Sequence, residues 1–96
     1  MKIISNKINE CLEVALEGRL DTTTAPELDS FLNENYGNIE SLTVNCKKLS
    51  YVSSAGLRVL LTAHKKLKGN LKLTNVCELV MEVFELTGFA DILVIE

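Results

Sequence analysis

Apolar positions recur along this chain with two periods, and each change of period marks an element. Residues 2–8 and 11–17, KIISNKI and CLEVALE, are short extended runs. Asn9-Glu10 between them has the length of a hairpin connection. In the second run Leu12, Val14 and Leu16 alternate with Glu13, Ala15 and Glu17, so one face is apolar and the other wet. Leu28, Phe31 and Leu32, with Tyr36 beyond, repeat at helical spacing. Thr24 and Glu27 read as a T-x-x-E capping box for that helix, Pro26 sits in its first turn, and Gly37 is its stop.

Residues 41–46, SLTVNC, put Leu42, Val44 and Cys46 on one side of a strand and Thr43 and Asn45 on the other. A second helix is expected from about Ser54 to Lys68, ending at Gly69-Asn70. Leu71 and Leu73 mark another strand, with Lys72 and Thr74 facing away. A third helix is expected to begin at Asn75, capped by N-x-x-E with Glu78, and to end at Gly88. Its inner face is read as Leu79, Val80, Val83 and Phe84, and its outer face as Glu78, Glu82 and Glu85. Ile92 to Ile95 form a last strand.

The order β-β-α-β-α-β-α-β implies an α/β fold: a mostly parallel sheet entered through an antiparallel hairpin strand. A parallel sheet covered on both faces reads as continuous Val, Ile and Leu. Here the middle strands alternate. Two layers are therefore expected, with all helices on one face and a polar sheet face of Glu13, Glu17, Thr43, Asn45, Lys72 and Thr74. At 96 residues the chain is read as one domain over 1–96.

Composition removes several functions. No apolar run reaches the roughly 18 residues of a membrane span. The opening MKIISNK lacks a signal-peptide core, which points to a cytoplasmic address. Ten Lys and Arg against thirteen Asp and Glu leave a net charge of −3, with only Lys65, Lys66 and Lys68 clustered, so no nucleic-acid footprint is present. Cys11, Cys46 and Cys77 are widely spaced and join a single histidine; reduced core thiols fit better than a zinc site, and no metal or cofactor is expected. Neither G-x-x-x-x-G-K-[ST] nor G-x-G-x-x-G occurs.

The stretch S-Y-V-S-S-A-G-L-R, residues 50–58, joins a strand to a helix. Ser53 is a natural N-cap. Gly56 in the first turn costs about 1 kcal/mol against alanine, which points to close approach of some group to the backbone. A strand–Ser–helix turn also resembles a nucleophile elbow, but Val52 stands where its first glycine belongs. The sole histidine, His64, is ten residues along the same helix, about 15 Å from Ser54, and so cannot serve as its base.

Y-V-S-S-A-G-L-R-V-L-L resembles the signature of the STAS domain in anti-sigma factor antagonists, Asp-Ser-Ser/Thr-Gly-Leu after a hydrophobic pair. L-E-G-R-L-D-T-T-T-A, residues 16–25, resembles that family's L-x-G-x-L-D-x-x-T-A. The resemblance runs over nearly the whole chain. It departs at Ser53, where the family has Asp, and at Ala55, where it has a hydroxyl. It implies a regulatory binding protein and not an enzyme. Its phosphorylatable serine falls at Ser54. In the family the unphosphorylated form binds an anti-sigma factor that is also a serine kinase, which frees a sigma factor; a metal-dependent phosphatase reverses the modification.

The partner surface expected around Ser54 comprises Asp21, Thr22, Thr23, Ser53, Ala55, Gly56, Leu57, Arg58 and Leu61. On a helical wheel Ser54, Arg58 and Lys65 point outward, while Gly56, Leu60, Ala63 and Leu67 form the buried stripe. Leu57 and Leu61 are expected to be partly exposed, as a docking edge or as the core margin. Arg58 is either a contact or an ordinary solvated charge. Asp21 is either a contact or simply turn chemistry before the helix. The resemblance also admits a STAS subunit that docks in a membrane transport complex or signalling scaffold without phosphorylation.

Overall fold

Alternation along the strands becomes a sheet with one dry face. The computed structural model describes residues Met1 to Glu96. Its elements are β1 (Lys2–Ile8), β2 (Cys11–Leu20), α1 (Ala25–Asn35), β3 (Ser41–Val52), α2 (Ser54–Lys66), β4 (Leu71–Thr74), α3 (Glu78–Thr87) and β5 (Val94–Ile95). The strands lie in chain order, β1-β2-β3-β4-β5. β1 is antiparallel to β2, and every later pair is parallel. Asn9, at φ 55, makes the hairpin turn.

Leu12, Val14 and Leu16 of β2, Leu42, Val44 and Cys46 of β3, and Leu71 and Leu73 of β4 are no more than 3% exposed. They face the helices, whose core side chains include Leu28, Leu32, Leu60, Ala63, Val80 and Phe84. The other sheet face is open and carries the expected polar side chains together with exposed Ile4, Ile8 and Val94. Asn6, Glu13, Thr43 and Lys72 form one row across it by strand register. The expected two-layer architecture is thus the one observed.

Several local readings are corrected. β2 and β3 run on to Leu20 and Val52, well past the expected ends at residues 17 and 46. Register shifts between Ala15 and Glu17 and between Gly18 and Arg19 break the two-residue period, and beyond them the core face resumes at Leu20, Leu49 and Val52. The last strand is only Val94–Ile95, because Phe89–Asp91 coil into a 3-10 turn after Gly88.

Asn75 does not cap α3. It lies in the left-handed region (φ 56), and its Nδ2 donates to Asn45 Oδ1 at 3.1 Å. α3 starts at Glu78 with Cys77 as N-cap. The later start leaves Leu79 57% exposed and off the inner face, while Val80 and Phe84 are fully buried. It also leaves Cys77 exposed, so Cys46 alone is a core thiol; burial, with a smaller contribution from Cys77, pushes it up to about 12.

Phe84→Ala is expected to lower unfolding free energy by about 3–5 kcal/mol. Leu86→Ala, at a position 87% exposed, is expected to change it by less than about 0.5 kcal/mol. Urea titration of both variants measures the contrast.

Candidate functional site

The two sequence motifs meet where β2 and β3 leave the sheet. Leu20 stands opposite Val52 in the parallel ladder. The Ser53 N–H donates to the Leu20 carbonyl at 2.9 Å. Asp21 and Ser54 each follow directly on that bond, so residues distant in sequence become neighbours.

Gly56 makes the meeting possible. A Cβ built there would lie 2.6 Å from Leu20 Cγ and 2.9 Å from the Leu20 carbonyl oxygen. The group that approaches the backbone is therefore Leu20 of the same chain. Gly56 is buried, and the close approach it allows positions the site.

Ser53 is extended (φ −95, ψ 175), and its Oγ accepts the Gly56 N–H at 3.4 Å. Its carbonyl accepts the Leu57 N–H at 2.9 Å, which opens α2. Ser53 is therefore the N-cap and half-buried. Ser54, the first helical residue, is exposed. The two adjacent hydroxyls have different positions: one completes the helix, the other faces solvent at its N-terminus.

The Asp21 loop is fixed in a similar way. Asp21 Oδ1 accepts the Thr23 N–H at 3.0 Å, the Thr24 N–H at 3.2 Å and the Thr23 hydroxyl at 2.8 Å. Thr24 Oγ1 in turn accepts the Asp21 N–H at 2.8 Å and donates to the Arg19 carbonyl at 2.7 Å. The reciprocal box thus joins Asp21 and Thr24, three residues earlier than the expected Thr24–Glu27 pair, and Thr24 makes no side-chain cap on α1. The Thr23 hydroxyl, with the backbone N–H groups of Thr24 and Thr23, outweighs desolvation and holds the Asp21 carboxyl below its ordinary value. Arg19 Nε lies 3.7 Å from Asp21 Oδ2.

Between α1 and α2 runs an open groove of about 360 Å³, with Thr22, Ala25 and Asp29 on one wall and Ala55, Arg58 and Thr62 on the other. It joins both motifs on one surface. Arg58 is exposed, and Leu61 and Ala55 are half-buried, as is Asp21; Thr22 and Thr23 are exposed. Leu57 departs from expectation at 3% exposure. α2 lies between the crossovers of α1 and α3, so its buried arc is wider than a helix with one neighbour would have.

Sequence reasoning passed over Arg19 and Tyr51. They pair across β2 and β3, and the guanidinium lies 4.2 Å from the ring centroid. The signal is there, since each residue lies within a motif, but the bulge that aligns them is not visible in the residue pattern.

Gly56→Ala is expected to destabilise the fold by about 1–3 kcal/mol despite better helix propensity, because backbone must move. Asp21→Asn keeps capping oxygen but removes the charge. Because the folded carboxyl titrates below its unfolded value, its contribution is present above the unfolded pKa of about 3.9 and is lost as pH falls through the folded value. The melting-temperature gap between wild type and D21N should therefore be open at neutral pH and close on acidification, as a pH series of thermal melts would record.

Comparison with known proteins agrees with this geometry. The sequence matches the STAS domain family over residues 2–96. It is 36% identical over 96 residues to BtrV of Bordetella bronchiseptica, covering 96% of this chain and 83% of that protein. It is 33% identical over 85 residues to the anti-sigma-B factor antagonist of Bacillus subtilis, covering 85% and 78%. The anti-sigma factor antagonist SpoIIAA in its unphosphorylated form superposes with a TM-score of 0.86 at 19% identity, over 99% of this chain and 88% of that one. The phosphorylated form of Bacillus SpoIIAA gives 0.77 at the same 19%, over 99% and 91%. The structural likeness is one of fold; together with the sequence match it establishes that this chain belongs to the STAS domain family.

Proposed function

We propose that the chain is an anti-sigma factor antagonist working as a phosphorylation-switched binding module, with Ser54 as the acceptor. One observation carries the reading: of two adjacent serines, Ser53 is used in the cap, and Ser54 is exposed at the N-terminus of α2 beside the Asp21 loop. The anti-sigma factor antagonist names of relatives such as the Bacillus subtilis protein support it. In this reading the chain is a substrate and a switch. His64 lies in the last turn of α2, far from Ser54, and supplies no base there.

The transfer moves the γ-phosphoryl group of ATP to Ser54 Oγ; the hydroxyl proton goes to a base of the kinase, and ADP leaves. The modification adds about −1.5 to −2 charge. At an exposed helix N-terminus that charge is favoured by about 0.3–1 kcal/mol, so the isolated fold tolerates it. A docked partner does not, because the dianion must be desolvated in the contact. A loss of about 3 kcal/mol already exceeds a hundredfold in affinity.

The partner in this reading is an anti-sigma factor with serine kinase activity, and a metal-dependent serine phosphatase resets the switch. The contact surface runs from Asp21, Thr22 and Thr23 across Ser54 and Ala55 to Arg58 and Leu61.

Incubation with the cognate kinase and Mg-ATP should add one phosphate, located at Ser54 by mass spectrometry and absent from Ser54→Ala. The phosphorylated protein should bind the kinase about a hundredfold or more weakly, with an unchanged far-UV CD spectrum. Phosphate on another residue, or equal affinity of both forms, would overturn the reading. Stable association of unphosphorylated protein with a transporter ATPase would instead favour docking in a membrane transport complex.

A further inference from the structure

The chain has two arginines, Arg19 and Arg58, and the fold uses them differently. Arg19 is held between Asp21 and the Tyr51 ring. Arg58 is exposed and uncommitted: the remaining ion pairs are Lys48–Glu17 and Lys72–Glu96, and the other cation–π contact is that of Lys66. It is also the only basic residue in the first two turns of α2, a helix without any acidic residue.

Its place in the helix gives that free charge a direction. Ser54 opens α2 and Arg58 follows four residues later, so both lie on one face with their Cβ atoms about 5–6 Å apart. Helical side chains lean toward the N-terminus, and a long one covers the turn before its own. Arg58 therefore leans back over the turn of Ser54. Anion first and cation four residues on is the favourable order for such a pair. A guanidinium fork also matches phosphate oxygens two at a time. Lys65, the next cation along α2, is about 16 Å further from Ser54 along the axis and does not compete. On its other side Arg58 borders the groove toward α1, where Asp29 and Thr22 stand on the facing wall.

We propose that Arg58 is the internal receptor of phosphorylated Ser54: its guanidinium, free on the groove wall in the unmodified protein and available to an acidic group of the partner, closes on the phosphate and is withdrawn from the groove. The proposal rests on Ser54 being the acceptor. One guanidinium offsets one of the two phosphate charges, so the site stays anionic while the groove loses its cation. Phosphorylation then acts twice on a docked partner, by adding a dianion and by removing an anchor, with the fold unchanged.

Protein translated with phosphoserine in place of Ser54 needs no kinase, so the pairing is tested apart from the identity of the acceptor. Phosphorus NMR follows its titration in the wild-type, R58Q and R58K backgrounds. The second phosphate pKa, about 6 when unperturbed, should lie at least about 0.3 pH unit lower with Arg58 than with R58Q, and R58K should recover part of that shift. The difference isolates Arg58 from Asp21, Arg19 and Asp29, which are common to both proteins. In the kinase-binding assay, the phosphate should cost the wild type about tenfold more in affinity than it costs R58Q. A smaller pKa difference, or an equal cost of the phosphate in both backgrounds, would overturn the proposal. Kinase labelling of another residue would count against the acceptor and not against the pairing.

Discussion

The closeness of Leu20 to the first turn of α2 governs everything at the C-terminal edge of this sheet. The Leu20 carbonyl holds the Ser53 N–H, and its side chain fills the space where a Cβ on residue 56 would stand. Glycine inside a helix costs about 1 kcal/mol against alanine. That cost is offset by contact at a fully buried leucine and by a fixed crossing of strand end and helix start. Because one residue on each chain segment follows directly on that hydrogen bond, the Asp21 loop and Ser54 are held together by backbone, without any side-chain bond between them. A surface built this way stays in place when the chemistry of a single side chain changes.

Much of this was legible in the residues, and the limits are physical. The alternation of Leu12, Val14 and Leu16 against Glu13 and Glu17 fixes which sheet face is covered, since a one-residue slip would turn every leucine to water. Gly56 announced a close approach but not by what, because the neighbour comes from another strand. Bulges near Ala15 and Gly18 are invisible to a period count, which therefore ends both long strands early. Capping boxes were misplaced for a related reason. Thr24 and Asn75 each have the right residue three positions on, yet tertiary hydrogen bonds take their side chains elsewhere: Thr24 to Asp21 and the Arg19 carbonyl, Asn75 to Asn45. A local motif states what a side chain is able to bind, and the fold chooses among the options.

The helical layer has two kinds of margin. Toward α1, the edge of α2 is polar and grooved, with Arg58 and Thr62 facing Thr22 and Asp29. Away from that groove, Leu57 of the same helix is taken into the core. Leu79 and Leu86 of α3 are exposed together with its glutamates.

The two departures from the family pattern also make physical sense at this edge. Serine and aspartate are near-equal N-caps, so Ser53 preserves the helix start that an aspartate would provide. It does so without a carboxylate beside Ser54, leaving Asp21 as the nearby acid. Asp21 is itself committed to Thr23, Thr24 and Arg19. A phosphoryl dianion on Ser54 would then meet less like charge within the chain, and its repulsive effect would fall more fully on whatever is docked there. Ala55, half-buried on the groove wall, removes the hydroxyl that follows Ser54 in the family pattern, and Ser53 adds one before it that is held in the helix cap.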